Sequence, residues 1–310
     1  MISEEANEMD NVKDKIRDLN ILSSLDDEEM YIKMKQAYLD CPKAIKYLKD
    51  LGVPDDVIEK NIVKVYDLVK DLNYCSKCPG IENCKKDNPL LITKLVYHFG
   101  FLERELTPCK RVLDKVEIEG KFRVRDFDDA WIANDLSLID QTKARKEVIK
   151  KYVNYLKDVS DEWIFINGEA NTGRSYLAAS IAVDIARQKK GPLCFMNSAL
   201  RFKELNDLSY SNKRKFQEML DLYSTCQVLV IDDFGSEYKN DFVRDAILMQ
   251  IIIKRSAKKL FTIFTSDYSI EQIETLYSVN KIAQIQAERI FKIIRNECKK
   301  EISLGDVGVY

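Results

Sequence analysis

Trp163-Ile-Phe-Ile-Asn-Gly168-Glu-Ala-Asn-Thr-Gly173-Arg174-Ser175-Tyr176-Leu-Ala-Ala-Ser180 is the stretch that decides the fold. Its first four residues are apolar and either aromatic or β-branched, the composition of a buried strand. A glycine-bearing loop follows, then a run rich in Ala and Leu that suits a helix. Strand, loop and helix match the phosphate-loop pattern G-x-x-x-x-G-K-[ST] at every defined position but one, where Arg174 stands for Lys. Glycines at 168 and 173 let the backbone turn tightly and approach a phosphate. Successive N–H groups and the helix N-terminus then attract the anion. The expected binding residues are Gly168, Asn171, Thr172, Gly173, Arg174, Ser175 and Tyr176, with the Ser175 hydroxyl on a Mg2+ ion. Arg174 keeps the charge of Lys but is bulkier, planar and forked, so the exchange is not conservative. Alone, the stretch also admits an ordinary strand–turn–helix without a ligand.

Around this centre, a chain of 310 residues is long enough for two domains with separate cores. With 45% apolar and 32% charged residues it has the composition of a soluble globular protein. No apolar run approaches the ~18 residues of a membrane span. The acidic start, Met1-Ile-Ser-Glu-Glu, lacks the basic and apolar regions of a signal peptide, so a cytoplasmic protein with no membrane partner is expected. A net charge of −2 gives no global nucleic-acid signal. The charge is uneven, with 9 basic and 15 acidic side chains in residues 1–60 against 10 and 7 in residues 251–310. Lys254, Arg255, Lys258 and Lys259 form a basic cluster that suits either a helix C-terminus or contact with single-stranded DNA.

Eight cysteines in a cytosolic chain argue against a disulfide framework. Four of them share one window: Cys75-Ser-Lys-Cys78, then Cys84 and Cys109. A C-x2-C pair puts two thiolates on one tight loop, as tetrahedral Zn2+ requires, and Cys84 and Cys109 can complete the site. His98, the single histidine, is the alternative ligand. Free thiols are the plainer alternative. Cys41, Cys194, Cys226 and Cys298 are scattered and read as small core residues.

Residues 1–72 read as helical, with Ile58, Ile62, Val65, Val69 and Leu72 giving one apolar face. Val96 to Phe99 reads as strand, Val116 to Asp126 as a charged connector, and Thr142 to Leu156 as helix. From Trp163 strands and helices alternate, the signature of a parallel sheet. Strands are expected at Leu193–Met196, Gln227–Ile231 and Leu260–Thr265, helices at Lys213–Tyr223, Asp241–Arg255 and Ile282–Arg295, and a last strand near Glu301–Leu304.

Ligands of such sheets bind beyond the carboxyl ends of the strands. Gly168–Ser175, Asp232-Asp233 and Ser266-Asp267 all follow strands and should converge on one crevice. Asp232 is placed to hold Mg2+, and Asp233 to orient or deprotonate an attacking water.

The order of elements resembles the bacterial replicative helicase loaders, the primosomal DnaI proteins and their DnaC relatives among the AAA+ ATPases. The resemblance covers nearly the whole chain. It rests on Cys75-x2-Cys78-x5-Cys84 with a late Cys109-Lys, on the phosphate loop followed by Tyr176-Leu-Ala-Ala179-Ser-Ile-Ala182, and on Val230-Ile-Asp-Asp-Phe-Gly235-Ser-Glu237. Phe242-Val-Arg-Asp245 and Phe264-Thr-Ser-Asp-Tyr-Ser269 extend it. It implies an N-terminal zinc domain that grips the hexameric replicative helicase. It also implies an AAA+ domain that binds ATP or ADP with Mg2+ and single-stranded DNA, helps load the helicase, and self-associates.

Departures from the family pattern bear on catalysis. Arg174 replaces the loop Lys, and Asp267 replaces an Asn at the sensor position after the fourth strand. A carboxylate ~5 Å from a γ-phosphate charge, at an effective dielectric of ~20, is repelled by roughly 3 kcal/mol, which only protonation or a metal would relieve. Arg289 matches the first of two late-helix arginines that supply an intersubunit finger, but Ile293 stands at the second. Arginines after a late Gly are absent from Leu304-Gly-Asp-Val-Gly-Val-Tyr310, and Asn88 replaces a His before Pro89.

The expected architecture is α/β, an AAA+ parallel-sheet domain at 141–310, preceded by a small helical zinc-binding domain at 1–115 and a linker at 116–140. Asp233, Asp267 and Arg289 are the expected catalytic positions, with slow or absent hydrolysis because of Arg174, Asp267 and Ile293. The function implied is helicase loading at replication initiation or restart. The alternatives are a nucleotide-independent helicase adaptor of the same fold, or a transposition-accessory AAA+ ATPase, a group that generally lacks the cysteine domain.

Overall fold

The computed structural model describes residues 27–133, 136–140, 142–188 and 190–305. The chain divides into two compact units, Met1–Leu113 and Asp114–Tyr310. The expected helix over 1–26 and the end of the arginine-free tail, 306–310, lie outside the described residues.

In the first unit, helix α1 covers residues 27–39, and α2 (Pro42–Asp50), α3 (Asp55–Lys60) and α4 (Ile62–Ser76) follow. Pro42 opens α2 where its missing N–H costs nothing. Asp55 and Asp56 occupy the first turn of α3, where the helix dipole favours acids. Ile58, Ile62, Val65, Leu68 and Val69 are buried with Ala44 and Leu48 in one core. The unit is not wholly helical. Strands β1 (Leu91–His98) and β2 (Phe101–Pro108) form an antiparallel hairpin that drops Leu95 and Leu102 into that core. Phe99 and Phe101 at its tip are exposed.

In the second unit, residues expected as a linker are structured. Helix α5 (Lys110–Lys121), whose first turn still belongs to the first unit, runs to β3 (Phe122–Arg125), the edge of the main sheet, and two 3₁₀ turns follow before α6 (Lys143–Leu156). Strand β4 (Ile164–Asn167), helix α7 (Arg174–Arg187), β5 (Leu193–Asn197), α8 (Ser198–Ser211), α9 (Lys213–Thr225) and β6 (Val228–Asp232) come next. A π-helical stretch, Val243–Leu248, runs into α10 (Met249–Ala257), where the sequence suggests one α-helix. Strand β7 (Phe261–Ser266), α11 (Ile270–Tyr277), α12 (Lys281–Cys298) and the short β8 (Ile302–Ser303) complete the unit.

The sheet has six parallel strands in the order β3-β5-β6-β7-β4-β8. Its central strands are buried at nearly every residue, as a sheet covered by helices on both faces requires. Phe165, Leu229, Ile231 and Phe264 face a core with Phe234, Ile251, Ile290 and Phe291. Ile164, Ile166, Val230 and Ile263 face the other, with Val148, Leu177 and Ile181. No described helix is long and apolar enough to cross a membrane.

Candidate nucleotide site at the strand ends

The sheet register brings three strand ends level. Asn167 of β4 pairs with Ser266 of β7, and Ile231 of β6 pairs with Phe264. Gly168, Asp232-Asp233 and Asp267 therefore emerge side by side at one edge.

The loop has the backbone that phosphate binding needs. Gly168 has φ +152°, and an added Cβ there would lie 3.1 Å from Thr172 Oγ1 and 3.3 Å from the Gly305 carbonyl. Asn171 sits in the left-handed region at φ +64°, and Gly173 at φ +81°. Gly173 caps α7 without any side-chain hydrogen bond, so the first N–H groups of that helix stay open to an anion. The Thr172 hydroxyl is spent inside the loop, donating to the Glu169 carbonyl at 2.8 Å.

Behind the loop stands a residue that sequence reasoning missed. Arg145, buried on α6, donates to the Thr172 carbonyl at 3.1 Å. That bond polarises the peptide whose N–H belongs to Gly173. Nothing local marks Arg145, because its partner lies 27 residues away.

Arg174 is buried and turned back across the loop. Its Nη1 donates to the Gly168 carbonyl at 2.6 Å, and its Nη2 is ion-paired with Asp267 Oδ1. The two departures from the family pattern therefore meet as an ion pair.

Asp232 is buried, and its Oδ1 accepts from Thr265 Oγ1 at 2.6 Å. Burial raises its pKa from the usual carboxylate value of 3.8, with Asp233 adding to the rise, while Thr265, Ser175 and Arg174 oppose it. A buried carboxylate in contact with a hydroxyl at the helix start, and short of cation, has the donor chemistry of a Mg2+ site. Asp233 follows at φ +58°, its N–H donating to Thr265 Oγ1 at 2.9 Å. Thr265 thus orients both acids. Tyr176, exposed, meets the Trp131 ring edge-on at 5.5 Å, giving the start of α7 an aromatic flank.

Arg289 projects from α12 into solvent and has no partner among the described residues. Ile293 is partly buried against the core. The basic cluster resolves differently from its sequence reading. Arg255 is fully buried, while Lys254 pairs with Asp221 at 2.9 Å and Lys259 with Glu297 at 3.2 Å. Arg255 is thereby removed from the surface cluster, while Lys258 is exposed.

In the first unit Cys75, Cys78, Cys84 and Cys109 are partly exposed free thiols. Burial raises the Cys75 pKa, and Asp71, Cys78 and Cys109 add to the rise, while nearby Lys86 opposes it. The Cys84 pKa is lowered, first by hydrogen bonds from the backbone at Leu90 and Lys86. Cys109 N–H donates to the Leu90 carbonyl at 2.8 Å, which ties the Cys84 loop to the end of β2. Yet among the described residues no three His, Cys, Asp or Glu side chains are placed to hold a metal. His98 drops out as an alternative ligand. Pro108, next to Cys109, pairs with Leu91 at one end of the hairpin, and His98 pairs with Phe101 at the other. Seven residues of strand separate them by roughly 23 Å.

The family described as IstB-like ATP binding protein matches residues 102–296. The replicative helicase loader DnaI of Bacillus subtilis (strain 168) is 22% identical over 257 residues, which cover 78% of this chain and 80% of that protein. Among solved structures, DnaI superposes with a TM-score of 0.53 at 22% identity, covering 59% of this chain and 97% of that one. A primosome component from Streptococcus pyogenes serotype M3 gives 0.50 at 21% identity, covering 63% and 98%. These superpositions establish the same α/β fold.

Proposed function

Because this chain belongs to the IstB-like ATP binding protein family, we propose that it is a replication factor that engages a hexameric replicative DNA helicase and places it on DNA. The observation that carries this reading is the extent of the likeness to the loader. It covers 78% of the chain, more than Asp114–Tyr310 can supply, so it reaches into the first unit. A transposition accessory built on the ATP-binding core alone would not need that unit.

In this reading the loop at 168–175 and the acids at 232–233 hold a nucleotide. The N–H groups at the start of α7 bind its phosphates, and Arg145 keeps the loop peptide oriented. Ser175 and Asp232 would hold Mg2+, which neutralises phosphate charge when bound. Asp233 is held at the strand end by Thr265 and serves to orient a water. Arg289 is free to reach a neighbouring copy. Hydrolysis is slow, because Arg174 is already committed to Asp267 and Ile293 supplies no second arginine. The aromatic flank of Trp131 and Tyr176 offers a surface for a base. The zinc reading rests on donor chemistry alone, with Cys75, Cys78, Cys84 and Cys109 as ligands, and metal analysis of purified protein tests it.

The deciding experiment is co-sedimentation of the full chain with the replicative helicase of its own organism, with and without Mg-nucleotide. A stoichiometric complex that deletion of the first unit abolishes is the expected result. No complex under any nucleotide condition would refute helicase loading. A complex indifferent to nucleotide would favour an adaptor.

A further inference from the structure

We propose that the Arg174–Asp267 pair makes the phosphate loop selective for nucleoside diphosphates over triphosphates. The proposal rests on the nucleotide-binding reading above and concerns which nucleotide the site retains.

The geometry is set by the sheet. Asp267 follows Ser266, which is level with Asn167 on the adjacent strand, so its carboxylate stands across the mouth of the loop that begins at Gly168. Arg174 reaches it while also bonding the Gly168 carbonyl at 2.6 Å. The Arg174 side chain is only 10% exposed, whereas that of Asp267, just past the C-terminal end of β7, is 45% exposed. Strand β7 lies between β4 and β6, so Asp267 and the acids at 232–233 border the same space beyond the loop.

A phosphate seated on the loop N–H groups leaves this arrangement intact, because those groups belong to the backbone and the start of α7. The next phosphate out must enter the space bordered by Asp232, Asp233 and Asp267. Arg174 is the guanidinium at hand there, and it is already shared between a carbonyl and Asp267. A triphosphate either leaves that pair closed and meets the Asp267 carboxylate, or takes Arg174 and leaves the carboxylate bare beside it. Both routes set like charges together, which is how a site rejects the wrong ligand. A diphosphate meets neither cost.

Calorimetric titration of the full chain with Mg-ADP, Mg-ATP and the non-hydrolysable β,γ-methylene analogue of ATP tests this. The expected result is that ADP binds at least about tenfold more tightly than either triphosphate. In Asp267→Asn, triphosphate affinity should rise by about tenfold or more, with ADP changed by no more than about twofold. Arg174→Lys combined with Asp267→Asn restores the side-chain types of the usual loop pattern and should prefer triphosphate. Equal affinities in the unmodified protein, or an Asp267→Asn effect shared equally by ADP and ATP, would overturn the selectivity and leave nucleotide binding standing. Failure of both nucleotides to bind either protein would instead overturn the nucleotide reading and this inference with it. The unmodified protein supplies the first comparison, so the test does not depend on any variant folding.

Discussion

Arg174 and Arg255 are both buried guanidiniums of the second unit, and they are held in opposite ways. Arg255 bonds neutral acceptors: Thr262 Oγ1 at 2.9 Å and the carbonyls of Tyr223, Cys226 and Phe261 at 3.0, 2.8 and 2.6 Å. Burial lowers its pKa, and no carboxylate among the described residues pairs with it. Arg174 bonds one carbonyl and one carboxylate, and that carboxylate lies just past the C-terminal end of β7. Backbone carbonyls at the end of α9 and the start of β7 cannot be exchanged without unfolding, so Arg255 is a fixed strut from α10 to those two elements. A phosphate oxygen can replace a carboxylate oxygen, so Arg174 is exchangeable. The same side chain is structural on one flank of the sheet and, in the nucleotide reading, open to a ligand at the strand ends.

The sharpest way to break this comparison is Arg255→Met, which keeps apolar bulk but strands three buried carbonyls. At about 1–3 kcal/mol for each orphaned acceptor, a loss of about 3 kcal/mol or more is expected. Urea unfolding followed by tryptophan fluorescence measures it. Both tryptophans, Trp131 and Trp163, lie in the second unit, so the signal reports that unit alone. A midpoint shift worth less than about 1 kcal/mol would mean that Arg255 is not the strut described here.

Thr265→Val comes next. It removes the donor to Asp232 and the acceptor for the Asp233 N–H in one step. A destabilisation of about 1–3 kcal/mol is expected, with weaker Mg-nucleotide binding, because both acids lose their orientation. Unchanged nucleotide affinity would show that the strand end alone positions them.

Asp232→Asn should act in the other direction and by less. The Asp232 pKa is raised from 3.8, chiefly by burial. The native protein therefore holds that proton more tightly than the unfolded chain does. Stability falls as pH rises from the unfolded value through the folded one, and the penalty is complete above it. Replacing the carboxylate should raise the melting temperature of nucleotide-free protein at neutral pH, and the gain should disappear near pH 3.8. Mg-nucleotide binding should be lost at the same time, the usual trade between a charged site and stability. A lower melting temperature at neutral pH would show that the hydrogen bond from Thr265 outweighs burial.

These contrasts also mark how far the sequence could be read. Strand β4, its loop and α7 were legible because the signal is local: an apolar run, glycines where φ is positive, then helix formers. The acids at 232–233 were legible because an apolar strand ends on them. Strand β3 was not, since Phe122-Arg-Val-Arg125 carries half its residues charged and becomes a strand only by pairing with β5. Arg255 was misread because charge in a helix end looks solvated, and only its place beside buried Ile251 and Ile252 betrays it. Arg174 and Asp267 were each noticed singly, as two defects. Their pairing spans 93 residues and follows from the register of β4 against β7, which no local pattern encodes.

The smallest effect sets the scale for the others. Arg214 and Glu218 pair at 2.9 Å on α9, with side chains 90% and 60% exposed. Arg214→Ala should cost no more than about 0.5 kcal/mol, because water solvates both charges as well as they solvate each other. The same fluorescence-detected unfolding gives the value, and added salt should leave it nearly unchanged. If this surface substitution cost as much as Arg255→Met, removal of an arginine as such would explain both results. A difference of several-fold would instead locate the cost in the stranded carbonyls, and would support the contrast between Arg255, held by carbonyls and a hydroxyl, and Arg174, held in part by a carboxylate.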